Sequence, residues 1–171
     1  MATAVVYSSA SGYTKQYAEW ISQELNCDLL NAKKVNLFTI NMYDIIIFGG
    51  CVHASKIRDI SLLTNNIDVL KSKKLIVFSC GLQNQEKEIE AIKKANFKDR
   101  MLPFISYYNL PGGVDITKLN FIDSFILKKA LDMNKELSID LSKPVFFGSK
   151  DVIKPIVEEA KAYEQELIEK A

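Results

Sequence analysis

Three hydroxyls crowd into six residues near the start of the chain. Ser9, Ser11 and Thr14 flank Gly12 in the segment Tyr7-Ser8-Ser9-Ala10-Ser11-Gly12-Tyr13-Thr14. Serine and threonine hydroxyls donate hydrogen bonds to an anion, and a glycine lets the backbone approach a bulky group without a Cβ in the way. The segment holds no Lys or Arg. It also lacks the Gly-Lys-Ser/Thr of nucleoside triphosphatases and the G-x-G-x-x-G of dinucleotide sites. The set suits a monophosphate held by hydroxyls and amides, without a metal. The alternative is that Ser11 or Thr14 merely caps a helix.

Two elements must position these groups. Ala4-Val5-Val6-Tyr7 is a continuous apolar run, and Tyr17, Ala18, Ile21 and Leu25 then recur at helical spacing. The hydroxyl segment is therefore a turn from a buried strand into a helix. The first amides of a helix lack intrahelical partners and lie at the positive end of its dipole, which favours an anion by roughly 0.3 to 2 kcal/mol.

Further along, the spacing predicts strands over Cys27–Leu30, Tyr43–Gly50, Lys74–Phe78 and Leu102–Tyr108. Helices are predicted over Ile57–Leu70, Gln85–Phe97, Leu119–Leu137 and Val152–Ile168, the last after a linker containing Pro144 and Gly148. Ile45-Ile46-Ile47-Phe48 shows no alternation, so both faces of that strand must be covered, as in a parallel sheet between helix layers. Five strands alternating with helices predict an α/β fold, a doubly wound five-stranded parallel sheet. The whole of residues 1–171 reads as one domain with an extra C-terminal helix. Ligands of such sheets bind beyond the carboxyl ends of the strands, where strand order reverses.

Composition narrows the partners. With 22 basic and 21 acidic residues the net charge is +1, which gives no footprint for nucleic acid or an anionic membrane. No apolar run approaches about 18 residues and no cleavable leader is visible, which predicts a cytoplasmic protein with no integral membrane segment. Cys27, Cys51 and Cys80 are odd in number and lack C-x-x-C spacing, so neither a disulfide framework nor a metal site is expected. Cys51 and Cys80, each at a strand end, read as packing residues.

The segment Tyr7–Thr14 resembles the phosphate loop of flavodoxins, Y-x-S-x-T-G-x-T, which holds the 5′-phosphate of FMN. The resemblance implies an FMN cofactor whose phosphate is lined by Ser9, Ala10, Ser11, Gly12, Tyr13 and Thr14. Tyr13 departs from the Asn usual at its position. The loop after the third strand, with Gly49, Gly50, Cys51, Val52 and His53, would pack on one face of the flavin ring. Its glycines leave peptide groups free to reorient, or else serve a turn that needs positive φ. His53, the sole histidine, touches flavin or substrate, or is a surface residue. After the fourth strand, Ser79, Cys80, Gly81, Leu82 and Gln83 suit the pyrimidine edge of a flavin, which offers donors and acceptors; Asn84 there has the alternative role of capping the next helix.

The loop with Pro111, Gly112, Gly113 and Asp115, together with YDIIIFGGCVHASKI and the final helix start, resembles the flavodoxin-like branch containing menaquinone-dependent protoporphyrinogen oxidases. In that branch this loop would belong to the substrate site. The helix Leu119–Leu137 carries Phe121, Ile122, Phe125, Ile126 and Leu127, a stripe expected to be core, with contact to a membrane quinone or to a second subunit of a homodimer as the alternative. Two roles follow from the resemblance: an electron carrier docking to a redox partner protein, or an oxidoreductase acting on a quinone or protoporphyrinogen. Carriers of this kind tend to be strongly acidic, which a charge of +1 does not match. No catalytic proton-transfer cluster is evident. A flavin-free interaction or signalling module on the same fold is the third reading.

Overall fold

A computed structural model describes residues 1–133, 140 and 142–171. Five parallel strands lie in the order β2-β1-β3-β5-β6: β1 Thr3–Ser8, β2 Asp28–Asn31, β3 Ile45–His53, β5 Lys74–Gly81 and β6 Ile105–Pro111. The short β4, Lys56–Ile57, pairs antiparallel with the end of β3. Strand order reverses between β1, which runs on to β2, and β3. The crevice beyond Ser8 and Gly50, paired at the top of those strands, is therefore where this topology binds ligands.

Each face of the sheet is covered, as the unalternated apolar strands require. On one side, Val5, Ile45, Ile47, Ile76 and Phe78 pack against α1, Tyr13–Leu25, and α7, Lys154–Lys170, through Tyr17, Ala18, Ile21, Ile156 and Ala160. On the other, Ala4, Val6, Ile46, Phe48, Leu75 and Val77 meet the short helices α3, Ser61–Thr64, and α4, Ile67–Leu70, and the longer α5, Glu86–Asn96. A further short helix, α2 Leu37–Ile40, precedes β3.

The single helix expected over Ile57–Leu70 is instead β4 followed by α3 and α4. Asp59 takes a left-handed φ of 57°, which breaks the helix before it begins. The residues giving the helical pattern, Ile57, Ile60, Leu63, Ile67 and Leu70, are all buried nonetheless. The strand expected over Leu102–Tyr108 begins instead at Ile105, because residues 102–104 lie in a turn of 3-10 helix, and it continues through Pro111; Gly113–Val114 forms β7, paired antiparallel with β8, Val145–Phe146.

The long helix is α6, Phe121–Met133, and the rest of the expected span, residues 134–137, lies outside the described residues. Its stripe is not core. Phe121, Ile122, Phe125 and Ile126 are 88%, 69%, 63% and 57% exposed, because α1 and α7 already cover one face of the sheet and α3, α4 and α5 the other.

α7 is tied down by a compact polar cluster. Glu159 accepts hydrogen bonds from Ser106 (2.5 Å) and Tyr108 (2.6 Å), and Lys74 Nζ lies 2.6 Å from its Oε1. Burial pushes the Glu159 carboxyl up, yet these three donors outweigh it and hold the group below its ordinary value. Burial and the same carboxylate push Tyr108 up to about 12. Further along α7, Thr3 Oγ1 of the interior strand β1 donates to Glu164 (3.0 Å), so β1 and α7 meet.

Candidate functional site

The hydroxyl turn sits where the sequence places it, between the end of β1 and the start of α1. Gly12 is the N-cap, with φ of 101°, a conformation that strains any residue with a Cβ. The first turn of α1 carries no acidic residue, so its dipole and amides are open to an anion. Ser9 Oγ accepts from the Gly12 amide at 3.0 Å, which closes the turn on itself.

Thr14 differs from the other two hydroxyls. Its side chain is buried and its Oγ1 has no hydrogen-bond partner. Leaving a buried hydroxyl unpaired costs about 1 to 3 kcal/mol, so a helix-capping role does not account for it. The hydroxyl meets the Cys80 thiol, which burial pushes up to about 12 and the Thr14 side chain draws down, a weak sulfur contact outside hydrogen-bond geometry that leaves the hydroxyl unsatisfied.

The turn is not without a cation. Lys118 reaches across from a turn of 3-10 helix at Ile116–Lys118, donating to the Ser11 carbonyl at 3.1 Å and lying 3.5 Å from Asp115. Asp115 is buried and caps that turn: the hydroxyl of Thr117 donates to it at 2.6 Å and the amide at 3.1 Å. The Thr117 hydroxyl is the main cause that holds the Asp115 carboxyl below its ordinary value, with Lys118 adding to it. Sequence reading missed Lys118, since 107 positions separate it from Ser11.

Tyr13 turns its ring away from the turn. It stacks on Phe146 at a centroid distance of 5.0 Å, and its hydroxyl donates to the Val114 carbonyl, so only its amide faces the anion position. The β7–β8 ribbon is thereby fastened to α1, and Tyr17 adds a 2.6 Å hydrogen bond to the Pro111 carbonyl. Of the expected substrate loop, Pro111 ends β6, Gly112 donates to the Gly81 carbonyl at 2.7 Å, Gly113 lies in β7, and Asp115 is the cap just described. The four stay together, beside the hydroxyl turn.

The glycines after the third strand are not a loop. Gly49 and Gly50 are buried within β3, paired with Tyr7 and Ser8 on one side and Phe78 and Ser79 on the other, and neither has positive φ. Their requirement is space. A Cβ on Gly49 would enter the Phe78 ring, and one on Gly50 would strike Ile57 and the Arg58 carbonyl. The actual turn is Ala54-Ser55, with φ of 47° and 62°, and it joins β3 to β4. Both angles positive is the hairpin geometry that matches strand twist. Cys51 and Val52 are half-buried and His53 is exposed along that hairpin. Ser8, at the top of β1, donates to Asp59 Oδ2 at 2.5 Å, a carboxylate that the sequence did not single out.

Beyond β5 a chain of side chains leads to Gln83. Ser79 Oγ bonds the Tyr107 hydroxyl (2.7 Å) and donates to Asn109 (2.8 Å), whose amide donates to the Gln83 carbonyl (2.8 Å). The Gln83 side chain folds over Gly81, and its Oε1 is buried without a partner. Leu82 is exposed beside it, and Cys80 points into the core. Asn84 does not cap α5. Gln85 is the N-cap, in a box with Glu88, and Asn84 donates its amide to the Glu88 carboxylate.

A crevice of about 420 Å³ opens elsewhere, between the end of α1 and the start of α7. Its charges neutralise one another, Lys150 with Glu24 at 2.6 Å and Lys154 with Asp151 at 2.8 Å. No helix among the described residues is long and apolar enough to cross a membrane, and no cluster there could hold a metal.

Residues 4–138 match the family model of the flavodoxin domain. No curated protein matches the chain. Among solved structures the chain is similar to the Trp repressor binding protein from Bacillus subtilis, at 17% identity over 64% of this chain and 84% of that one, with a TM-score of 0.49. It is similar to two-electron reduced Megasphaera elsdenii flavodoxin at 16% identity, 64% and 83% coverage and a TM-score of 0.46. A flavoprotein in complex with FMN from Lactobacillus acidophilus NCFM is 16% identical, with 65% and 92% coverage and a TM-score of 0.41.

Proposed function

We propose, from the premise that the chain belongs to the flavodoxin domain family, that it binds FMN at the carboxyl ends of β1, β3 and β5 and passes electrons to a partner. The observation that carries this reading is a pair of orphans. Among the described residues, two buried side-chain polar atoms lack a partner, Thr14 Oγ1 and Gln83 Oε1. One is a donor in the turn suited to a phosphate, the other an acceptor in the loop suited to the flavin's pyrimidine edge. Buried polar groups are otherwise almost always paired, so both fit a ligand with an anionic end and a donor-bearing end.

In this reading Ser9, Ser11 and Thr14 and the amides from Ala10 to Thr14 hold the phosphate, and Lys118 adds positive charge beside them. Gln83, carried by the Ser79–Asn109 chain, accepts from the ring edge. Gly81, Cys51, Val52 and His53 border the ring position. When bound, FMN supplies a centre that takes up and releases electrons together with protons. The chain's own residues set where it sits and exclude water from it.

Removing two donors by Ser11→Ala with Thr14→Val is expected to weaken FMN binding by about 2 to 5 kcal/mol, the cost of lost charge-assisted hydrogen bonds. Titration of the apoprotein, followed by quenching of flavin fluorescence, measures it. Unchanged affinity overturns the reading.

A finer version is an oxidoreductase acting on a quinone or protoporphyrinogen, with Pro111, Gly112, Gly113 and Asp115 in the substrate site. The observation favouring it is the exposed apolar side of α6, which begins six residues after Asp115. The near-neutral charge also favours it over an acidic carrier. Steady-state turnover with either substrate supports this version, and rapid one-electron exchange with a reductase without such turnover rejects it.

A further inference from the structure

Cys51 and Cys80 lie 29 positions apart in the sequence, and the sheet makes them neighbours. They are register partners in the parallel β3–β5 ladder, at its last rung. Residues of one parity in these strands, Ile45, Ile47, Ile76, Phe78 and Cys80, belong to the core under α1 and α7. Cys51 shares that parity, so both thiols rise from the same face. Cys51 is also near enough to Cys80 to add to the upward push on its thiol.

The geometry points to a redox-active dithiol: Cys51 and Cys80 exchange with small-molecule disulfides and close into a reversible disulfide between β3 and β5. Adjacent strands lie about 4.8 Å apart, inside the Cα separation of about 4.4 to 6.8 Å that a disulfide spans. At the last rung β3 leaves β5 for its hairpin with β4, so the strand ends can close the remaining gap between Cβ atoms more easily than interior rungs could. The two thiols are unequal in the way such exchange needs. Cys51 is partly exposed and open to attack on a reagent, whereas Cys80 is 4% exposed, its thiol making only a long contact to the Pro111 carbonyl (4.0 Å), and has Cys51 as its register partner. Cys27 stands apart, its thiol pushed up to about 11 by burial.

The chemistry balances without a metal or flavin. The Cys51 thiolate attacks one sulfur of the external disulfide, whose S–S bond breaks and releases one thiol. Cys80 then gives up its proton and attacks Cys51 Sγ in the mixed disulfide, releasing the second thiol. Two protein thiols are oxidised and one external disulfide is reduced to two thiols.

The test treats the folded protein with glutathione disulfide at mildly alkaline pH, quenches with acid, alkylates and measures intact mass. The expected result is loss of two of the three free thiols without retained glutathione. Peptide mapping should join residues 51 and 80 with Cys27 alkylated, and dithiothreitol should reverse the change. Cys80→Ser should arrest at a stable glutathione adduct on Cys51, and Cys51→Ser should leave Cys80 unreacted. A wild-type protein that keeps glutathione on Cys51 with Cys80 alkylated overturns the proposal. So does one that keeps all three thiols, or that links 51 and 80 only after urea unfolding.

Discussion

Two polar clusters of similar make-up sit in this domain, and they are finished differently. At the base of α7, Glu159 has a donor for each of its oxygens, from Lys74, Ser106 and Tyr108. At the start of α1 the Ser9 hydroxyl accepts from the Gly12 amide and the Ser11 carbonyl from Lys118, while the Thr14 hydroxyl has no hydrogen-bond partner, and across the crevice the Gln83 Oε1 is orphaned as well. The first cluster is complete within the chain and can only stabilise it. The second costs stability as it stands, and a ligand is what would recover that cost. Satisfied and unsatisfied polar groups therefore separate what holds the fold from what serves it.

The contrast can be broken by substitutions that act on one property and spare the other. The largest effect is expected from Glu159→Ala, which strands Lys74 in a half-buried site. Urea unfolding of the apoprotein should show a loss of about 2 to 3 kcal/mol, toward the lower end for a broken pair that is partly solvated, with FMN affinity unchanged. Thr14→Val should do the reverse. FMN binding should weaken by about 1.5 to 2 kcal/mol, while the apoprotein keeps its stability or gains, because an unpaired buried hydroxyl is gone. A Thr14→Val apoprotein that is destabilised would mean the hydroxyl is structural. Gln83→Leu should cost about 1 kcal/mol of FMN affinity by removing one neutral acceptor, and isothermal calorimetry would detect it.

The smallest effect is in pH dependence. Glu159 titrates below its ordinary value in the fold, so its contribution is present above that value and fades as pH falls through the folded pKa. Tyr108 is shifted the other way. Its contribution holds below the ordinary 10.0 and fades as pH climbs towards about 12. Thermal unfolding across that range should therefore show a plateau with two shoulders, and Glu159→Gln should flatten the acid one.

What the sequence disclosed and what it hid follow from the range of the interactions. The hydroxyl turn, α1 and the five parallel strands rest on neighbouring residues and on unalternated apolar runs, and they stand where expected. Ile57, Ile60, Leu63, Ile67 and Leu70 have helical spacing and are all buried, but Asp59 and the Asn65-Asn66 pair divide them, so burial was legible where the helix was not. The stripe on α6 misled because apolar spacing states what a helix could bury, never whether a surface is left for it. Gly49 and Gly50 read as sites of peptide reorientation or of a positive-φ turn, whereas the Phe78 ring that excludes a side chain from Gly49 belongs to another strand. Lys118 beside Ser11 and Cys51 beside Cys80 are products of strand order, which local pattern does not encode.

α7 carries a consequence for biogenesis. Val5, Ile45, Ile47, Ile76 and Phe78 share their side of the sheet with Ile156, Val157 and Ala160, and Thr3 reaches Glu164. A chain emerging from the ribosome can assemble β1 through β6 while much of that apolar side is still bare, since α7 is translated after every strand of the sheet it covers. Partly made sheets of this kind attract chaperones and one another. Premature termination before Lys154 should therefore yield aggregates rather than a smaller, working version of the domain.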